Sequence, residues 1–456
     1  MWYPNKSLAG GKGLWEEANI SPAMAQSQRS WLRAFYSAPG PGAHSLTNLP
    51  ATLTGFLATL VTGELNMQCG SSQRGQFLTG QLQRLGRQLP GAVQLAAACG
   101  MAVIRPIVSG GEFQFELLGP GRFFPTRFGA DGTVLAGYIA DFEELDGRTY
   151  VRLESFDCRE DELHLSNRAY RTEGEVLMEQ VPLKTVPRWE ALAADITLTH
   201  VNKPLLGYMR MPFFNNVDPS SPLPVSIYAG AMESMAEFER VYGELLYELH
   251  SGKRKRIIER QAIAPEKAAE RPGRSGLTGR GYRDISPDNY IVLDPMEQAK
   301  PFDDYSPQLR TEEYLTGLQV ILRMVENQCH LSPGTLSLDA RTGALTATEV
   351  ISQDRTTYRT CAAIQEALSL ALEDVIAAMD VLCSLYHLCP AGRISPALSF
   401  GDSVFEDTQA EFSRRMEMVK HGILRPEKLL EWYFDVDEAT ACGMREAPAA
   451  TQEVTA

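Results

Sequence analysis

From Ala347 to Leu388 the chain runs without a proline or a glycine. Through most of that stretch apolar residues return at helical spacing. Cys361, Ile364, Leu368, Leu372, Val375, Met379, Leu382 and Tyr386 follow one another at steps of three or four, which places them on one face of a helix. A helix of this length is unusual in a globular protein, and its neighbours must pack along its side. Its predicted start, Thr346-Ala347-Thr348-Glu349-Val350, follows a Gly- and Pro-bearing stretch from Cys329 to Gly343. A Thr cap with an acid in the first turn suits a helix beginning.

Around this helix, 456 residues leave room for two or three domains. Asn19 to Tyr36 reads as a surface helix. Leu46 to Gly63 reads as a helix starting near Pro50, and Gly75 to Leu89 and Val93 to Val103 as two more. The last of these overlaps strand character, because Met101 to Pro106 and Phe113 to Leu118 are alternating or β-branched, with Gly110-Gly111 between them as a turn. Val134–Phe142, Tyr150–Phe156 and Glu162–Tyr170 continue as a meander with Asp-Gly turns at 131–132 and 146–147. The fold class is therefore α+β, with antiparallel strands up to about Leu205.

Phe213 to Val225 is a Pro- and Asn-rich linker. Ser226 to Ser251 behind it is an amphipathic helix with Ala231, Met235, Phe238, Tyr242, Leu245 and Leu249 on one face. A second, Thr311 to Cys329, carries Leu315, Leu318, Leu322, Val325 and Cys329 on one face. Tyr290 to Leu293 between them reads as a short strand. Ile394 to Val404 reads as a strand ending in a turn, followed by helices at Phe405–His421, Arg425–Tyr433 and Val436–Gly443. The last residues, from Arg445, read as a disordered tail.

Charge divides the chain unevenly. The net charge is −14, which argues against tight static binding to duplex DNA, because such affinity comes from Lys and Arg neutralising phosphates. It does not argue against a wall past which DNA slides. Glu233, Glu237, Glu244 and Glu248 lie on the first amphipathic helix, with Glu239 nearby. They are either a solvated helix face or the acidic lining of a channel. The basic residues gather just after it: Lys253, Arg254, Lys255, Arg256, Arg260, Lys267, Arg271, Arg274, Arg280 and Arg283. That cluster is either a surface loop or a contact for DNA or an acidic partner.

Several chemistries are excluded or unsupported. There is no GxxxxGK[ST], so the chain is not a P-loop motor; Gly10-Gly11-Lys12-Gly13 lacks the spacing and the Ser/Thr. There is no GxSxG, HExxH or Rossmann fingerprint. Cys383, His387 and Cys389 lack a fourth metal ligand and a common helix face. Cys329 and His330 are adjacent and do not face each other on a helix. No metal, cofactor or enzymatic activity is expected. The eight cysteines are scattered without a CxxC pair, which suits a reducing compartment. Met1 to Glu16 has no apolar core of a signal peptide, and no apolar run reaches the roughly 18 residues of a membrane span, so a soluble cytoplasmic chain with no membrane partner is expected.

Two segments carry a resemblance. VSIYAGAMESMAEFERVYGELLYELHSGKRKRII, from Val225, and TATEVISQDRTTYRT, from Thr346, resemble the portal proteins of tailed bacteriophages; RFFPTRFGADGTVLAGYIADFEE and ISPALSFGDSV are weaker local matches. The resemblance implies a portal fold. It has a wing of helices and antiparallel strands (1–225), a stem helix (226–251), a small α/β clip (252–308) and a returning stem helix (309–329). A tunnel loop (330–346), a long kinked wing helix with a strand (347–404), a short helical crown (405–441) and a disordered tail (442–456) follow. It further implies a ring, a dodecamer, at one capsid vertex, through which double-stranded DNA passes without sequence specificity. The implied partners are the terminase large subunit, the major capsid and scaffolding proteins and a head-completion or adaptor protein. The implied location is the virion, with the host cytoplasm during assembly. The tunnel-loop polar groups would be His330, Ser332, Ser337, Asp339, Arg341 and Thr342; the clip surface would be Lys253, Arg254, Lys255, Arg256, Arg271, Arg274 and Arg280. The alternatives are a nucleic-acid-processing cytoplasmic enzyme with an unrecognised site, or another ring-forming connector component.

Overall fold

The structure is a computed structural model that describes residues 20–36, 46–174, 176–252, 255–259, 290–293, 302–305, 308–336, 354–401, 408–434 and 438–443. The fold is α+β. Helices Pro22–Tyr36, Leu49–Thr62, Gln73–Gly86 and Leu89–Cys99 come first. The first buries Met24 and Trp31, so it is less of a surface helix than expected. Ser72 caps the third by accepting the Gly75 N–H at 2.9 Å.

Leu89–Cys99 stops four residues short of the expected Val103. Gly100 adopts φ 88 and returns its N–H to Ala96 at 2.7 Å. A Cβ there would also stand 2.6 Å from the Pro224 carbonyl oxygen, so only glycine fits. The next residues form the strand Met101–Ser109, central in an antiparallel sheet between Gly207–Arg210 and Glu112–Leu118. Its two faces enter different cores. Ala102 and Ile104 join the main helical core, while Met101 and Val103 pack with Leu118, Phe123, Ile139 and Phe156. Burial on both faces removes the alternation that marks a strand, and hence the helix-like reading of 93–103.

The meander is longer than its sequence cores: Val134–Leu145, Arg148–Arg159 and Glu162–Glu173, flanked by Phe123–Phe128 and Val176–Val181. Asp146 (φ 51) and Gly147 (φ 71) make the expected two-residue hairpin turn. Asp195–Thr199 pairs with Glu162–Ser166 as a sixth strand. An ion pair joins this sheet to the smaller one: Arg105 meets Glu154 at 2.5 Å, and Glu154 is held in turn by Arg152 of its own strand at 2.9 Å.

The long helix is Arg355–Leu385, one unbroken run. Its expected start at Thr346 lies outside the described residues, and within 355–385 no Pro, Gly or break supplies the expected kink. Cys361, Ile364, Leu368, Leu372, Val375, Met379 and Leu382 are buried as the spacing predicted. Tyr386 is not; it lies past the helix end and is exposed. There the chain reverses: His387 takes φ 53 and the Leu388 N–H reaches back to the Cys383 carbonyl at 3.1 Å. A non-glycine residue in this conformation is strained. His387→Gly is therefore expected to raise stability by about 1 kcal/mol, read as a shift of the denaturation midpoint at constant slope.

The linker 213–225 is a packed loop. Asn215 is buried; its Oδ1 accepts the Val217 and Asp218 N–H groups and its Nδ2 donates to the Leu223 carbonyl at 2.9 Å. The helix behind it begins at Met232, six residues later than expected. Ser226 and Ile227 are tied to the Ala97 carbonyl instead, and a single 3-10 turn, Ala229–Ala231, intervenes. Met232–Ser251 then packs antiparallel to Thr311–Gln328, with Arg310 beside Glu248 and Leu309 against Gly252. Leu249 and Leu315 depart from their expected buried faces and are exposed. Both lie toward the same end of the helix pair, where Glu248 and Arg310 meet, and not beside the buried Leu318, Leu322 and Val325.

Between the two helices the described residues form a small mixed sheet. Lys255–Glu259 is central, parallel to Tyr290–Leu293 and antiparallel to Phe302–Tyr305. Only the second of these strands was expected. The chain later returns to its beginning: Ala397–Phe400, shorter than the predicted 394–404, pairs with Leu65–Gln68. Helices Thr408–Lys420, Pro426–Phe434 and Glu438–Gly443 close the described part. The last ends at Gly443 as its helical reading expected, which takes Cys442 and Gly443 out of the 442–456 tail; the rest of that tail lies outside the described residues.

Candidate functional site

The end of helix Thr311–Gln328 and the start of the long helix meet at a hydrogen-bonded joint.

 His330 closes the first helix with φ 57, and its ring stacks on Phe213 with centroids 5.1 Å apart. Its carbonyl accepts the Thr360 hydroxyl at 2.7 Å. Ser332 is fully buried: its N–H donates to Thr357 Oγ1 at 2.8 Å, and its Oγ accepts the Thr357 N–H at 3.1 Å. That N–H belongs to the first helical turn and has no partner within the helix. Asp354, in the capping position, makes no side-chain cap bond, so Ser332 does the capping from 25 residues away. Thr335 Oγ1 donates to the Ser332 carbonyl at 2.6 Å.

Glu326 completes the joint. It is fully buried, and its carboxyl oxygens accept the Gly334 N–H at 2.9 Å and the Leu336 N–H at 2.6 Å. Residues 330–336 are thus held by one helix through Glu326 and by the other through Thr357 and Thr360. Ser332 is fully buried in the joint, whereas His330 is exposed. Ser337, Asp339, Arg341 and Thr342 lie outside the described residues. The signal for Glu326 was an acid on the apolar side of its helix, with Leu322 four residues before and Cys329 three after.

The four acidic positions of helix Met232–Ser251 do share a stripe, at spacings of four, seven and four residues. Arg240 interrupts it. Its guanidinium meets Glu237 at 2.5 Å and also pairs with Glu244. The bond to Glu237 raises the Arg240 pKa above its ordinary value, and in return holds the Glu237 carboxyl below the usual carboxylate range. Arg310 does the same for Glu248, at 3.3 Å. Glu233 is exposed at the start of the stripe. Glu239 is used elsewhere: it accepts the Leu46 N–H at 2.8 Å and the Thr47 N–H at 3.0 Å, fixing the chain that enters helix Leu49–Thr62.

Lys255 and Arg256 open the central strand of the small mixed sheet. Lys253, Arg254, Arg271, Arg274 and Arg280 lie outside the described residues. A cleft of about 490 Å³ lies between the 131–135 turn, strand Gly207–Arg210 and the long helix, with Asp131, Arg210 and Glu366 on its walls and an ion pair, Lys203–Asp374 at 2.6 Å, across it. Among the described residues no group of three His, Cys, Asp or Glu side chains is arranged to hold a metal, and no helix is long and apolar enough to cross a membrane.

No protein-family model matches this chain, and no curated protein matches it. Solved structures similar to it include a chain of the "Neck of empty GTA particle computed with C6 symmetry", at TM-score 0.43 and 11% identity, covering 90% of this chain and 94% of that one. A chain of the "Virion of native gene transfer agent (GTA) particle" follows at TM-score 0.42 and 10% identity, over 90% and 94%. A third, from the "Neck of native GTA particle computed with C12 symmetry", stands at TM-score 0.40 and 11% identity, over 94% and 96%. Likeness of this size carries no conclusion about function.

Proposed function

We propose that the chain is a portal subunit of a phage-like particle, assembling head-to-tail into a ring at one capsid vertex, through which double-stranded DNA passes. The observation that carries this reading is the excursion of the chain: out along helix Met232–Ser251, through a small sheet whose central strand opens with Lys255 and Arg256, and back along Thr311–Gln328 into a joint that meets the long helix. That order supports the stem, clip and tunnel-loop assignment implied by the sequence resemblance. Ring closure needs two different faces on each subunit. In this reading the Glu233–Glu248 stripe faces the channel, with Arg240 and Arg310 tempering its repulsion of DNA. The basic residues from Lys253 onward meet the terminase large subunit and later a head-completion protein, and the wing meets capsid and scaffolding proteins. No catalytic step is assigned to the chain.

Imaging of the purified protein tests this, with top views sorted by symmetry. The expected result is rings with an axial hole and near-twelvefold symmetry, formed alone or with scaffolding protein added. A discrete dimer that stays closed under both conditions would overturn the reading and favour the enzyme alternative.

A further inference from the structure

We infer that Arg355 and Arg359, with Arg323 on the helix before the joint, form a contact for the phosphate backbone of duplex DNA. The inference rests on the portal reading and names where on the chain that DNA is met. Arg355 and Arg359 are four residues apart, so they stand one above the other on one side of the long helix. Both are exposed, as is Arg323. None of the three makes a hydrogen bond or an ion pair among the described residues. By contrast Arg74, Arg84 and Arg240, on other helices, each meet a carboxylate.

The joint brings the two helices' arginines to one region. Arg323 and Asn327 are exposed one turn apart, in the turns that lead to His330. The His330 ring stacks on Phe213, and Phe213 lines the cleft together with Ala363, one turn beyond Arg359 on the long helix. The His330 carbonyl is tied to Thr360, the residue next to Arg359. The neighbouring carboxylates are occupied or set back. Glu326 is buried on the Gly334 and Leu336 amides, Asp354 is half-buried in the capping position, and Glu366 comes two turns after Arg359. The fold gains nothing from these charges. Like charges four residues apart on a helix repel, and a cation in the first turn opposes the helix dipole. A phosphate between the two guanidinium groups turns that repulsion into charge-assisted hydrogen bonds. Two or three such contacts per subunit give a weak, salt-labile hold on DNA, in keeping with the net charge of −14.

The test uses the full chain and a fluorescein-labelled duplex of about 30 base pairs, with anisotropy read from about 20 to 200 mM NaCl. In the double variant Arg355→Gln/Arg359→Gln, binding at about 50 mM NaCl is expected to weaken about tenfold, and the slope of log K against log salt to shrink by about 1.8 or more. The lysine pair, Arg355→Lys/Arg359→Lys, is expected to keep the parent slope. Arg148→Gln removes an exposed arginine beside the Asp146-Gly147 turn and is expected to change neither quantity. The glutamine pair is expected to unfold at or above the parent's denaturant midpoint, because a repulsion has been removed. A parent that binds no duplex at low salt, a slope unchanged in the glutamine pair, an equal loss in Arg148→Gln, or a midpoint well below the parent's would each overturn the inference. Symmetry-sorted images of the same preparations separate this from the portal reading. Rings with an unchanged slope would remove the contact and leave the portal reading standing; a reduced slope in a protein that forms no rings would uphold the contact and count against the portal reading.

Discussion

Gly207→Ala is expected to cost about 3 kcal/mol of stability and to leave much of the protein insoluble. Strand Gly207–Arg210 lies directly against the long helix. A Cβ at Gly207 would overlap the Ala371 carbonyl oxygen and come within 2.5 Å of Val375 Cγ2. Ala371 and Val375 are both fully buried, and the oxygen belongs to helix backbone that cannot swing away as a side-chain tip could. Relief requires the strand to lift, and the strand is paired to Met101–Ile104, whose other residues form two cores at once. The strain therefore spreads into close-packed interior. Gly80→Ala is the matched control. Gly80 is in a helix with nothing within 4 Å of a new Cβ, so alanine is expected to stabilise by about 1 kcal/mol. Denaturant midpoints at one fixed protein concentration compare the two, since assembly makes stability concentration-dependent. Equal midpoints for Gly207→Ala and the parent would show that strand and helix are not in the close contact described.

What could be read from the sequence follows the range of the interactions. The long helix was legible because its buried residues recur every three or four positions, from Cys361 to Leu382, and nothing non-local is needed to see it. The hairpin turn at Asp146-Gly147 was legible for the same reason. Met101–Ile104 was ambiguous because a strand buried on both faces loses its period, and the deciding residue was Gly100 with its positive φ. The start of helix Met232–Ser251 was misplaced because Ser226 and Ile227 look helical in isolation, but bond to Ala97, far back in the chain. Arg240 could have been read: it lies three residues after Glu237 and four before Glu244 on the acidic stripe. Ser332 could not, since its partner Thr357 is set by how two helices meet.

Glu326→Ala is expected to cost about 3 kcal/mol, from the loss of two hydrogen bonds to a carboxyl group and from two amides left without their acceptor. Gly334 and Leu336 both donate to that one side chain, and among the described residues no other hydrogen bond is made by either amide. Glu326→Gln keeps an acceptor oxygen for only one of the two amides and turns a donor toward the other, so it is expected to lose about half as much. Thr357→Val removes the acceptor of the Ser332 N–H but leaves the Ser332 hydroxyl capping the Thr357 N–H, and should cost about 1 kcal/mol. Amide exchange separates a local from a global effect. Faster exchange confined to 331–336 in Glu326→Gln, with the long helix still protected from Cys361 to Leu382, would mean that the acid fastens the loop base without carrying the fold. Unchanged exchange at Gly334 and Leu336 would mean that the two bonds do not hold the segment, and that the Thr357 side of the joint carries it alone. The first outcome also sharpens the portal proposal. A chain whose rings assemble normally while its loop base is loosened would isolate the joint as the element that sets the position of everything leaving Leu336, and DNA retention in particles built from it would report on that position directly.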